Sequence, residues 1–137
     1  MQDVFAEYLV QHGWEVTDKA DTASKARGVD LLAAKGSRRL GAEVKGWPST
    51  SYSYPRRAAE VKAHSAVQPG EALVLAGTAD GTYAARHEPA RESLMVLPDY
   101  PRYRDLANRT WTGRQAAGVH IVMVREDGTT DSETWTP

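Results

Sequence analysis

The segment Gly28 to Trp47, GVDLLAAKGSRRLGAEVKGW, places three charges, Asp30, Glu43 and Lys45, in two apolar runs separated by a Gly-Ser pair. Such runs around a tight turn predict strands over residues 28–35 and 38–46 joined as a hairpin. With Gly36 and Ser37 as a two-residue loop, Lys35 faces Arg38, and counting back along both strands brings Asp30 opposite Glu43. Side chains alternate with period 2, so Glu43 and Lys45 share a face, and residues facing each other across a pair also share one. The three charges therefore converge. Charge is depleted in strand interiors, and like charges opposed across a pair cost ~0.2–1 kcal/mol. A cation between the carboxylates would offset that cost, and hard oxygen donors on a small rigid sheet suit Mg2+, with Mn2+ able to replace it. An ammonium two residues from a metal-bound carboxylate can orient or help deprotonate a bound water and offset charge on a phosphoryl oxygen, which points to phosphodiester hydrolysis.

The rest of the chain reads as an ordered mixture of helix and strand. Val4, Phe5, Tyr8 and Leu9 recur at helical spacing, Asp3 is placed to cap, and Gly13 ends the helix. A short strand follows at 14–17. Beyond the hairpin, GWPSTSYSYP is a loop, RRAAEVKAHSAV (56–67) has the Ala-rich composition of a second helix, and EALVLAG (71–77) reads as a buried strand. Asp80-Gly81 and Asp127-Gly128 each mark a hairpin turn, and a short helix is expected near Tyr103 to Asn108. No internal repeat or domain boundary is visible, so residues 1–137 are read as a single domain.

The chain is 41% hydrophobic and 26% charged, the balance of a globular protein, and it has no cysteine, which excludes disulfides and thiolate zinc sites. No apolar run approaches the ~18 residues of a membrane span, and the first residues lack the basic region of a signal peptide, so a cytoplasmic protein without membrane association is expected. The net charge of -1 hides an asymmetry: residues 19–62 carry ten Lys or Arg against four acids. Cations gathered on one stretch suit a polyanion. His12, His64, His87 and His120 lack metal-ligand spacing, and neither a P-loop nor a G-x-S-x-G elbow is present.

Asp30, a spacer, then Glu43-Val44-Lys45, on two strands that follow a helix and a strand, resembles the PD-(D/E)xK nuclease superfamily, the restriction-endonuclease-like fold. The residue before the aspartate is Val29 where many members have proline. The resemblance implies an α/β mixed sheet with the core order helix, strand, strand, strand, helix, strand, followed by C-terminal hairpin additions. It implies a Mg2+-dependent endonuclease or junction resolvase acting on DNA, with Asp30, Glu43 and the Val44 carbonyl as metal ligands and Lys45 as the catalytic lysine. Glu7 on the first helix matches an acid that several branches place near the metal, and small members commonly form homodimers.

Nucleic-acid contacts are expected from Lys35, Arg38 and Arg39, from Trp47, Tyr52, Tyr54, Arg56 and Arg57, which interleave aromatics with cations, and from Lys62. Other readings fit the same residues. Glu7 suits the helix macrodipole, and Asp30 and Glu43 fit plain surface positions with Lys45 as their salt-bridge partner. A module that keeps the nuclease fold without catalysis, and an unrelated α+β interaction protein, remain alternatives.

Overall fold

The computed structural model describes residues 1–20, 29–47 and 90–137, and within them the chain is a mixed α/β fold with a six-stranded mixed sheet and three helices. Helix α1 spans Gln2–Gln11 and buries Phe5 and Leu9. Each such side chain removed from water contributes about 1.5–3 kcal/mol. Gly13, at φ 80°, ends α1: its N–H bonds the Val10 carbonyl and the Trp14 N–H bonds that of Leu9. This is a Schellman motif, in which the left-handed residue favours glycine and Trp14 packs back on Leu9. Asp3 does not cap the helix. The N-cap is Met1, while Asp3 lies in the first turn and pairs with Lys19.

The strands are β1 (Glu15–Lys19), β2 (Leu31–Lys35), β3 (Arg38–Val44), β4 (Arg91–Pro98), β5 (Val119–Val124) and β6 (Thr130–Asp131), hydrogen-bonded in sequence order. β1, β2 and β3 run antiparallel to one another, β3, β4 and β5 run parallel, and β6 returns antiparallel to β5. Helices α2 (Pro101–Arg109) and α3 (Trp111–Ala117) join β4 to β5. No helix among the described residues is long and apolar enough to cross a membrane.

The strand hydrogen-bonded to β3 on the side away from β2 is β4. β4 is buried on both faces from Ser93 to Pro98, and its SLMVLP run therefore shows no alternation. The expected helix over 56–67, the strand over 71–77 and the Asp80-Gly81 hairpin lie outside the described residues. The Asp127-Gly128 turn does join β5 to β6: Gly128 sits at φ 84°, and Asp127 Oδ1 accepts hydrogen bonds from the Thr129 N–H and hydroxyl at 2.9 and 2.7 Å.

Two apolar layers cover the sheet. Phe5, Leu9 and Trp14 pack with Leu31, Leu40, Ala42, Val96 and Trp135 on one face. Met95, Leu97, Ile121 and Met123 pack with Tyr103 and Leu106 of α2 on the other. On the α1 face, Arg38 closes the strand ends. Its guanidinium donates to Glu92 at 2.6 and 2.8 Å and to the Thr136 carbonyl at 2.8 Å, lies 4.7 Å from the Trp14 ring centre, and shares Glu92 with the Trp135 indole N–H.

Hydrogen bonding from Arg38, more than that from Trp135, holds the Glu92 carboxyl below its ordinary value of 4.5 against the opposing effect of burial. A lowered folded pKa means that this stabilisation is complete above the unfolded value and is lost as pH falls through the folded one. Arg38→Ala should cost about 1–2 kcal/mol, allowing for the partial exposure of the guanidinium. Thermal melts of wild type and Glu92→Gln across a pH series should converge below pH 4.5. Parallel curves would remove Glu92 from the acid response.

Candidate active site

The hairpin forms in the expected register. Lys35 pairs with Arg38, the ladder runs to Leu31 with Ala42, and Gly36 takes the positive φ of 59° that the tight loop requires. Asp30 lies one step beyond the last pair. Its main-chain carbonyl is held from two sides, by the Ala20 N–H at 2.9 Å and the Gln2 side-chain amide at 2.7 Å. Its carboxylate closes the third side, Oδ2 accepting the Val44 N–H at 2.7 Å.

The backbone explains that contact. The Lys45 N–H bonds Val96 of β4 at 2.9 Å, so the N–H of Val44, one residue back, turns toward β2. β2 has ended there, and the Asp30 side chain takes the place of the missing ladder acceptor. One residue's N–H and C=O leave an extended strand on the same side, which puts the Val44 carbonyl on the Asp30 side as well.

Ala42 and Val44 pack in the α1 layer, so the alternating Glu43 and Lys45 turn to the opposite face. Lys45 Nζ meets Glu43 Oε1 at 2.6 Å, with the two side chains 13% and 17% exposed. The electrostatic cost inferred from sequence is thus offset within the chain: a backbone amide serves Asp30 and an ammonium serves Glu43. A carboxylate has about four lone-pair positions, so each retains acceptor capacity.

The remaining candidates are dispersed. Glu7 is exposed, two positions from both Phe5 and Leu9 on a helix that packs against the other face of the sheet. No group of three or more His, Asp or Glu suited to a metal ion forms among the described residues, so Glu7 is not brought to Asp30 and Glu43. The α1 residue that reaches Asp30 is Gln2, which sequence reasoning missed. Lys35 and Arg38 belong to the α1 face, while Arg39, exposed, donates to the Gly36 and Arg38 carbonyls. All three sit at the far end of the hairpin, ~20 Å along β3 from Lys45 at ~3.3 Å per residue. Arg38 is committed to Glu92 and Trp14. Tyr52, Tyr54, Arg56, Arg57 and Lys62 lie outside the described residues.

Trp47 packs against the apolar layer under α1. Two residues beyond Lys45, it meets the Tyr100 ring edge-on at 6.1 Å. Tyr100 donates to Glu126 at 2.7 Å, and burial, then that hydrogen bond, push its phenol up to about 12, so it remains protonated. Beside it Asp99 accepts from Arg104 at 2.5 and 2.8 Å and pairs with Arg125 at 3.1 Å. Arg104, more than Arg125, holds the Asp99 carboxyl below the usual aspartate range. The DYPRYR segment carried these charges in plain view, but their convergence depends on β4 and β5 being parallel neighbours.

Asp30→Asn keeps an oxygen that can accept the Val44 N–H, whereas Asp30→Ala leaves it without one. The alanine variant should lose about 1 kcal/mol of stability and the asparagine variant markedly less, as read by chemical denaturation. Equal losses would mean that the 2.7 Å contact carries none of the stability.

No family model matches the sequence, and no curated protein does. Among solved structures, Pyrococcus furiosus SfsA in complex with Ca2+ is similar at a TM-score of 0.44 and 14% identity, the match covering 95% of this chain and 58% of that one. The chain thus spans less than two thirds of that structure's length. A likeness this slight carries no conclusion about activity.

Proposed function

We propose that the protein is a metal-dependent nuclease of the PD-(D/E)xK kind, hydrolysing phosphodiester bonds in DNA. The observation that carries the reading is the Asp30 carboxylate seated on the Val44 N–H, which draws Asp30 and the Val44 carbonyl to one edge of β3 beside Glu43 and Lys45. The order α1, β1, β2, β3 and the parallel pairing of β3 with β4, the next strand among the described residues, support it. So does the donor chemistry: Mg2+ keeps several waters and needs only one or two carboxylates, a set that Asp30, Glu43 and the Val44 carbonyl fit.

Asp30, fixed through its carbonyl by Ala20 and Gln2, offers a carboxylate whose position β1 and α1 set together. Glu43 supplies the second carboxylate from the middle of the rigid sheet. A metal held by these residues would supply an acidified water and charge compensation at phosphorus. Lys45, held by Glu43, would orient the attacking water and meet charge building on a phosphoryl oxygen.

A second reading is favoured by one observation. Asp30 and Glu43 already have partners within the chain, as they would in a module that binds nucleic acid without cutting it. Incubation of plasmid DNA with the protein, with and without Mg2+ or Mn2+, separates the two. Metal-dependent nicking that is absent in Glu43→Gln supports the nuclease, and binding without nicking in either metal supports the module.

A further inference from the structure

On the α2 face of the sheet, away from Asp30 and Glu43, a cavity of about 120 Å³ opens between the end of α2, the start of α3 and the segment after β6. That is the volume of roughly four water molecules at ~30 Å³ each, too small for a drug-sized ligand and suited to a single ring system. Ile121, Met123 and Trp111, the last 40% exposed, line the cavity, and the Arg114 guanidinium lies 5.7 Å from the Trp111 ring centre. Arg114 and Glu133 flank the space with opposite charges.

Arg114 is the unusual member. It is 3% exposed, yet among the described residues its hydrogen bonds run only to neutral oxygens: the Thr110 hydroxyl at 3.1 Å and the Ala107 and Val119 carbonyls at 2.8 and 3.5 Å. Buried charges are ordinarily paired. Burial pushes this guanidinium below the ordinary arginine range, with Glu133 acting against the shift. A guanidinium carries more N–H donors than these three contacts use. The flanking charges cancel, which disfavours an ionic ligand and suits a neutral planar one with an acceptor edge beside a donor edge.

We propose that this cavity binds one unstacked guanine base, its face on Trp111, its O6 and N7 toward Arg114, and its N1–H and 2-amino group toward Glu133. Arginine with O6 and N7 is the commonest specific contact to guanine, and unstacked bases are ordinarily held on aromatic faces. Adenine presents a 6-amino donor where Arg114 needs an acceptor. The proposal goes beyond the nuclease reading and does not depend on metal or cleavage.

The test is a ligand-observed NMR titration of the full chain with GMP, IMP and AMP. GMP should bind about tenfold or more tightly than AMP, with IMP, which lacks the 2-amino group, between them. Trp111 and Glu133 are exposed, so their variants keep the fold. Trp111→Ala should weaken GMP about tenfold or more, and Glu133→Gln should abolish the preference for GMP over IMP. Equal affinity for GMP and AMP, absence of saturable binding, or indifference to both substitutions would overturn the proposal. Loss of GMP binding in Trp111→Ala with metal-dependent cleavage absent throughout would uphold this site and remove the nuclease reading.

Discussion

Lys45→Ala is expected to cleave DNA about 10²–10³ more slowly than wild type in single turnover, a loss of about 3–4 kcal/mol of transition-state stabilisation, with Mn2+ and DNA affinity held within a few-fold. The reason lies in its position. Lys45 is anchored by its N–H to Val96 and by its ammonium to Glu43, and it is proposed to contact water and phosphate rather than the metal. Removing it takes away a group that acts mainly as charge develops. Lys45→Arg, which keeps a cation on Glu43, should recover part of the rate, and thermal melts of both variants guard against a trivial loss of fold. A Lys45→Ala variant that cuts at the wild-type rate would leave the lysine as nothing more than the partner of Glu43.

Glu43→Ala should fail earlier, at metal binding. With one of two carboxylates gone, calorimetric titration should show Mn2+ affinity reduced by 10-fold or more, on the order of losses seen even for outer-shell partners of metal ligands, and raising Mn2+ should recover little cleavage. The substitution also strips Lys45 of its carboxylate at 13% exposure, so stability falls as well. Glu43→Gln separates the two effects, since its amide oxygen can still accept from Lys45 while its charge is gone. If Glu43→Ala and Lys45→Ala lose metal equally, or neither loses it, the division of roles between acid and lysine is wrong.

Most local features of this chain were legible where a residue's geometry is set by its neighbours in sequence, the Asp3 cap being the exception. Gly36-Ser37 fixed the hairpin register, Gly13 ended α1, Asp127-Gly128 closed the β5–β6 turn, and Pro101 opened α2 close to the expected boundary. What escaped depends on distant partners. β4 carries no alternation because it is covered on both faces, and α3, with Gly113 and two Thr at or near its start, lacks helical propensity and forms against β5. The charges show the same division. Period 2 was enough to put Glu43 and Lys45 together, but nothing local to Arg38 says that Glu92 and Trp135, far along the chain, would claim it. The helical face carrying Glu7 was readable, and only the assembled sheet shows that α1 covers the side away from Glu43.

The central claim is that Asp30, Glu43 and the Val44 carbonyl hold a divalent cation at the edge of β3. Anomalous diffraction from crystals soaked in Mn2+ tests it most directly. The account predicts a single strong peak within coordination distance of both carboxylates, about 2.0–2.3 Å from their oxygens, absent from crystals of Glu43→Ala. Full soaking with no peak at that edge, or a peak elsewhere with Asp30 still on the Val44 N–H and Glu43 still on Lys45, would contradict it.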